Sequence, residues 1–111
     1  METLATYQQF ESLDIRVGTI IHAQNFEKAH KPAYQLKIDF GDFGIKNSSA
    51  QITALYRIED LIGRKIIAII NFPPKQIANF ISECLVLGAL NEKGVVLLAV
   101  DDAAENGDKI A

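Results

Sequence analysis

The chain has a single cysteine, Cys84, and no tryptophan. A lone cysteine excludes an intrachain disulfide framework and a thiolate cluster for zinc. Histidine is scarce too: His22 and His30 stand eight residues apart, without the HExxH spacing of a helical metal site. Neither GxxxxGK[ST] nor GxGxxG occurs, which excludes the familiar phosphate-cradling loops. No apolar run approaches the roughly 18 residues needed to cross a bilayer. Met1-Glu2-Thr3-Leu4 lacks the basic-then-apolar pattern of a secretory signal. A cytoplasmic protein without membrane insertion is therefore expected. Cys84 could pair with a histidine as a nucleophile, but it opens the apolar run Cys84-Leu85-Val86-Leu87, which predicts a buried structural thiol. Glu59-Asp60 and Asp101-Asp102 are sequence neighbours, and neither a helix nor a strand turns neighbours toward one another. No active site is assembled, and no enzyme, cofactor or metal is expected.

What is present is enough for one globular domain over residues 1–111: 49% hydrophobic and 23% charged residues. The net charge of −3 excludes a uniformly basic nucleic-acid binder. Its distribution is uneven. Residues 1–14 carry −3 and residues 101–111 carry −3, while residues 15–100 carry +3. A mildly basic body with acidic ends allows RNA contact on one face.

Leu4, Tyr7 and Phe10 recur at helical spacing and predict a short N-terminal amphipathic helix within residues 1–12. Residues 13–23 alternate, with Leu13, Ile15, Val17, Thr19, Ile21 and Ala23 on one face. Gly18, in mid-strand, predicts a bend or bulge. Tyr34, Leu36, Ile38 and Phe40 alternate in a second strand, and Gly41-Asp42-Phe43-Gly44 turns the chain. Residues 45–52 read as a third strand with an unusually polar centre, Lys46-Asn47-Ser48-Ser49. Residues 53–63 take helical spacing and end at Gly63. Residues 65–71 form an apolar central strand ended by Pro73-Pro74. Residues 75–82 read as irregular, residues 84–90 and 95–100 as a hairpin, and residues 101–111 as an acidic tail. The expected class is all-β with minor α: a five-stranded OB-fold β-barrel with one helix between strands 3 and 4, an N-terminal helix and a C-terminal extension. An open α+β sheet is the competing architecture.

Leu13-Asp14-Ile15-Arg16-Val17-Gly18-Thr19-Ile20 resembles the opening strand of the EMAP-type tRNA-binding domain family. Asn71-Phe72-Pro73-Pro74-Lys75-Gln76-Ile77 and Ser82-Glu83-Cys84-Leu85 resemble its second signature, where Cys84-Leu85 replaces Gly-Met and Asn79 replaces a loop glycine. Asn79 tolerates the left-handed conformation that glycine would supply. Lys31-Pro32-Ala33-Tyr34 and Ser48-Ser49-Ala50-Gln51-Ile52-Thr53 are similar to the small free-standing bacterial members described as export-related chaperones. The resemblance covers nearly the whole chain. It implies a homodimer whose interface is built by the terminal extensions, residues 1–12 and 101–111. It also implies two ligands, tRNA and unfolded or export-bound polypeptide.

An OB-fold binds along strands 2 and 3 and the loops joining strands 1–2 and 4–5. The expected RNA-binding residues are Lys28, His30, Lys31, Lys37, Lys46, Asn47, Ser48, Lys75, Gln76, Asn79 and Ser82. Lysines would neutralise phosphate; amides and hydroxyls would bond bases or sugars. Phe43 is the expected stacking aromatic. The expected polypeptide-binding residues are Phe72, Pro74, Ile77, Phe80 and Ile81, apolar groups crowded into one loop. The leading expectation is a non-enzymatic dimeric chaperone that also holds tRNA. The alternative is a tRNA structure-binding protein acting with the translation machinery.

Overall fold

The computed structural model describes residues 3–111. Strands dominate. The main sheet contains β1 (Ile15–Asn25), β2 (Tyr34–Asp39), β3 (Ile45–Ala50), β4 (Lys65–Ile69) and, after two further strands, β7 (Leu85–Val86). Its order is β3-β2-β1-β4-β7, with every neighbouring pair antiparallel. The sheet curls into the nearly closed barrel expected from the sequence. Two small hairpins complete the strands: β5 (Lys75–Ile77) with β6 (Phe80–Ser82), and β8 (Gly88–Asn91) with β9 (Gly94–Leu97).

β1 sets the barrel's curvature. Ile20 faces Ile38 across the ladder, but His22 faces Lys37, so Ile21 is an extra residue. This bulge exchanges the faces of the strand. Gly18 and Ile20 point inward before it, and Ala23 does so after it. The expected single face from Leu13 to Ala23 is therefore corrected: Ile21 is exposed, and Ile15 belongs to a second, outer cluster. Gly18 is not the bulge. A Cβ there would lie 2.6 Å from Ile38 Cγ2 and 2.7 Å from the Phe40 ring.

Two apolar clusters explain the uninterrupted hydrophobicity of β4. Ile66 and Ala68 enter the barrel core with Ile20, Leu36, Ile38 and Phe40. Ile67 and Ile69 pack outside it with Ile15, Leu87, Val100 and Ile110. A strand buried on both faces loses the alternation of a half-exposed one. The helix expected over residues 53–63 is reduced to α2 (Ile58–Leu61), which closes one barrel end with fully buried Leu61 and stops before Gly63 at φ +86°.

The barrel's last seam is made largely by side chains. The Glu83 N–H donates to the Asn47 carbonyl at 2.8 Å, and the Asn47 N–H donates to Glu83 Oε1 at 2.9 Å. The Ser49 N–H donates to Ser82 Oγ at 3.1 Å. The buried Ser48 hydroxyl donates to the Cys84 carbonyl at 3.0 Å. The polar centre of β3 is thus a closure device.

The terminal elements meet near the start of β1. The N-terminal helix is α1 (Tyr7–Glu11), shorter than expected; residues 1 and 2 of the expected extension lie outside the described residues. Thr6 caps it: the Gln9 N–H donates to Thr6 Oγ1 at 3.1 Å and the Thr6 N–H donates to Gln9 Oε1 at 2.8 Å. The acidic tail runs beside the first half of β1. The Val17 N–H donates to the Asp108 carbonyl at 2.9 Å, and the Ile110 N–H donates to the Ile15 carbonyl at 2.9 Å.

Candidate functional site

The segment expected to be irregular, residues 75–82, is a hairpin standing beside β3. Ile77 pairs with Phe80, leaving Ala78 and Asn79 as its turn. Ala78, not Asn79, takes the left-handed conformation, at φ +51°. The Phe80 ring meets the buried Phe26 ring edge-on, with centroids 5.4 Å apart and planes at 64°. This contact anchors the hairpin to the β1–β2 loop and separates two grooves.

On the first side lies a cavity of about 290 Å³, walled by Phe72, Pro73, Ile77 and Leu85 with Lys75 and Glu83. It shares Ser49, Gln51, Lys75 and Ile77 with a neighbouring cavity of about 330 Å³ that His30, Lys31 and Gln76 border. The two form one groove with an apolar end and a cationic end. Such a groove can hold an apolar side chain while a lysine meets a carboxylate or phosphate.

On the second side, cavities of about 390 and 220 Å³ share Gln24 and Gln35. Lys28 and Asn79 border the larger; His22, Lys37, Asn47 and Phe80 border the smaller. This groove is polar. His22 Nε2 is 3.1 Å from Gln24 Oε1, and Gln24 Nε2 donates to Gln35 Oε1 at 2.9 Å.

The structure thus divides both expected residue sets. Lys28, Lys37, Asn47 and Asn79 lie on the polar side; His30, Lys31, Lys75, Gln76 and Ser82 lie on the other. Ser48, expected on the exposed face, is fully buried and committed to the seam. Lys46 is half-buried on β3 outside both sets of walls. Phe72 and Ile77 meet in the apolar end, but Pro73 lines it rather than Pro74. Phe80 turns into the polar groove, and Ile81 projects to solvent beyond both. Phe43 stands apart, with the Arg16 guanidinium 4.2 Å from its ring centroid, where Asp14 also pairs with Arg16 at 2.6 Å. Among the described residues, no group of His, Cys, Asp or Glu is placed to hold a metal ion. The Cys84 thiol is pushed up from 9.0 to about 11, mainly by burial. It is a poor nucleophile at neutral pH.

Sequence reasoning misses His22 and Gln24 as groove residues. The bulge at Ile21 is what aligns them, and a uniform alternation along β1 conceals it. Glu83 and Leu85 stand out in the sequence only as signature residues; the seam places them at the apolar groove.

Residues 15–109 match the family model described as "Putative tRNA binding domain". The chain belongs to this tRNA-binding domain family. Its structure is similar to that of the CsaA chaperone protein from Picrophilus torridus, at 60% identity and a TM-score of 0.92, covering 97% of this chain and all of that one. The chaperone CsaA from Bacillus anthracis str. Ames is similar at 50% identity and a TM-score of 0.92, with 98% of this chain and all of that one covered. The methionine–tRNA ligase of Leptospira biflexa serovar Patoc is 35% identical over 103 residues. That match takes in 93% of this chain but 15% of the ligase, so the chain spans about one-seventh of such curated relatives. No helix among the described residues is long and apolar enough to cross a membrane.

Proposed function

We propose that this protein is a non-enzymatic, homodimeric, polypeptide-binding chaperone of the CsaA type, holding unfolded or export-bound chains in the cytoplasm. The carrying observation is the first groove, where Phe72, Pro73, Ile77 and Leu85 present apolar surface beside Lys75 and Lys31. A pocket that accepts a large apolar side chain and a nearby charge tolerates many sequences, as client binding requires. The relation to two proteins called CsaA chaperones, each matched along its whole length, supports the reading.

The terminal elements support the dimer. Leu4, Tyr7 and Phe10 form an exposed apolar stripe, and Leu90 on β8 is 90% exposed. Tyr7 and Phe10 wall a cavity with Lys109 and Ile110 of the tail, which supports a surface for a second copy built from α1 and the end of the tail. Sedimentation equilibrium at micromolar concentration tests this, and a clean monomer sinks it.

The decisive experiment is suppression of aggregation of a heat-denatured client. Phe72→Ser with Ile77→Ser should impair protection while far-ultraviolet circular dichroism stays unchanged. Full protection by the folded double variant would overturn the groove assignment.

A second reading, tRNA binding, rests on the family relation and on Lys28 and Lys37 flanking the polar groove. Filter retention of tRNA at two salt concentrations tests it.

A further inference from the structure

We infer that the polar groove between His22 and Phe80 is a subsite for one unpaired nucleobase of single-stranded RNA. The inference deepens the tRNA-binding reading and rests on it.

Three observations carry the inference. First, His22, Gln24 and Gln35 stand in a hydrogen-bonded row, with contacts of 3.1 and 2.9 Å. With Gln24 Nε2 donating to Gln35 Oε1, Gln24 Oε1 is the atom that faces His22 Nε2, and the contact is a hydrogen bond in the His22 tautomer that carries its proton on Nε2. Gln35 Nε2 is then left with two N–H groups that donate to nothing among the described residues. One N–H of Gln24 also has no partner among the described residues. A side-chain amide with open donor and acceptor valences pairs with a base edge through two parallel bonds.

Second, the row stands beside an aromatic ring in the same cavity of about 220 Å³. The Phe80 ring is half-buried and braced edge-on by Phe26 at 5.4 Å. It is a preset stacking surface that needs little further ordering. Lys37 borders the same cavity, and Lys28 borders the adjoining one. Glu27 also borders the adjoining cavity beside Lys28, so Lys37 is the cation better placed to meet a phosphate of a passing phosphodiester chain.

Third, the groove lacks what an extended polypeptide would use. β1 and β2 are paired along this stretch, Gln24 with Gln35 and Ala23 with Leu36, and β2 is paired with β3 on its other side. Their ladder groups are occupied, so strand addition has no free edge here. The recognition surface consists of the side-chain amides of Gln24, Gln35 and Asn47 with the His22 and Phe80 rings and Lys37, which matches a base better than a peptide backbone.

The test uses the full chain and six-nucleotide single-stranded RNAs of adenine, cytosine or uracil, with a blunt RNA duplex as control. Fluorescence anisotropy should show tighter binding of the single strands, with affinity depending on the base. Gln24→Ala with Gln35→Ala should weaken the preferred oligonucleotide about tenfold and narrow the spread between bases. The slope of log affinity against log salt should stay unchanged, because no phosphate partner is removed. Phe80→Leu keeps the apolar contact with Phe26 but should weaken all three single strands about equally. Chemical denaturation confirms that each variant folds. Undiminished affinity and base preference in the folded double-glutamine variant overturns the subsite while leaving tRNA binding standing. Failure of the unaltered chain to bind either these oligonucleotides or tRNA overturns both.

Discussion

The fully buried Ser48 hydroxyl donates to the Cys84 carbonyl at 3.0 Å, tying β3 to the segment that enters β7. Ser48→Ala deletes the donor and leaves that carbonyl without this partner. The expected loss is about 1–2 kcal/mol, or a fall in Tm of several degrees for a domain of this size. Binding of tRNA should be unaltered once the variant is compared below its transition. Calorimetry and filter retention together check this.

The Cys84 thiol, at about 11 against an ordinary 9.0, gives a pH signature. The folded state holds the thiol proton more tightly than the unfolded chain does. The associated stability is fully present below pH 9 and is lost as pH rises from about 9 to 11. The comparison is with Cys84→Ala, which isolates the contribution of the thiol. The difference between wild type and variant should shrink across that window in urea melts. A constant difference would contradict the burial argument. Iodoacetamide should also label Cys84 slowly at pH 8 until the protein is unfolded.

Gly18 has no room for a methyl group, since its Cβ would stand 2.6 Å from Ile38 Cγ2. Gly18→Ala should cost about 1–3 kcal/mol by overpacking the barrel. Truncating the obstacle, as in Gly18→Ala with Ile38→Ala, which removes Cγ2, should cost less than the sum of the two single losses. A strictly additive double variant would argue against a direct clash.

Ala78 carries a conformational penalty at φ +51° in the turn between β5 and β6. Ala78→Gly removes it and should stabilise the protein by about 0.5–1 kcal/mol, net of the extra freedom of the unfolded chain. Urea denaturation measures the gain. The hairpin walls both grooves, so binding should not weaken.

The two grooves make separable electrostatic predictions. Lys28→Glu with Lys37→Glu should weaken tRNA retention and flatten its salt dependence by about 0.7–0.9 for each phosphate that is no longer neutralised. Lys31→Glu with Lys75→Glu should act chiefly on client protection. If the second pair governs tRNA retention and the first does not, the assignment of grooves is reversed.

Much of the barrel is legible in the sequence because inward and outward residues alternate. Tyr34, Leu36, Ile38 and Phe40 all face the core as that pattern requires. The long run in β4 is legible for a related reason: β-branched residues with two buried faces have no polar side to show. What escapes depends on tertiary geometry. The bulge at Ile21 carries no glycine, while Gly18, which looks like the bend, is small because a neighbouring strand crowds it. The β5–β6 hairpin lacks the Asn-Gly or Asp-Gly pair that usually announces so tight a turn. Ser48 looks exposed because serine usually is, and only the approach of Cys84 makes its burial tolerable. The sequence points to candidate residues in two loops and on the strands between them, but no local pattern shows that the β5–β6 hairpin parts them into two grooves.

The tail has a kinetic consequence. Arg16 and Lys109 sit opposite one another as bridge partners, and Ile110 joins Ile15, Ile67 and Ile69 in the outer cluster. The second residue of the first strand therefore waits for the chain's last few residues before its edge is covered. During synthesis, a ribosome adding roughly 5–20 residues per second leaves that edge bare for several seconds. The fold cannot be finished progressively from its beginning. Its outer cluster closes only after Val100 and Ile110 have emerged, and loss of residues 107–110 would uncover β1 between Ile15 and Val17.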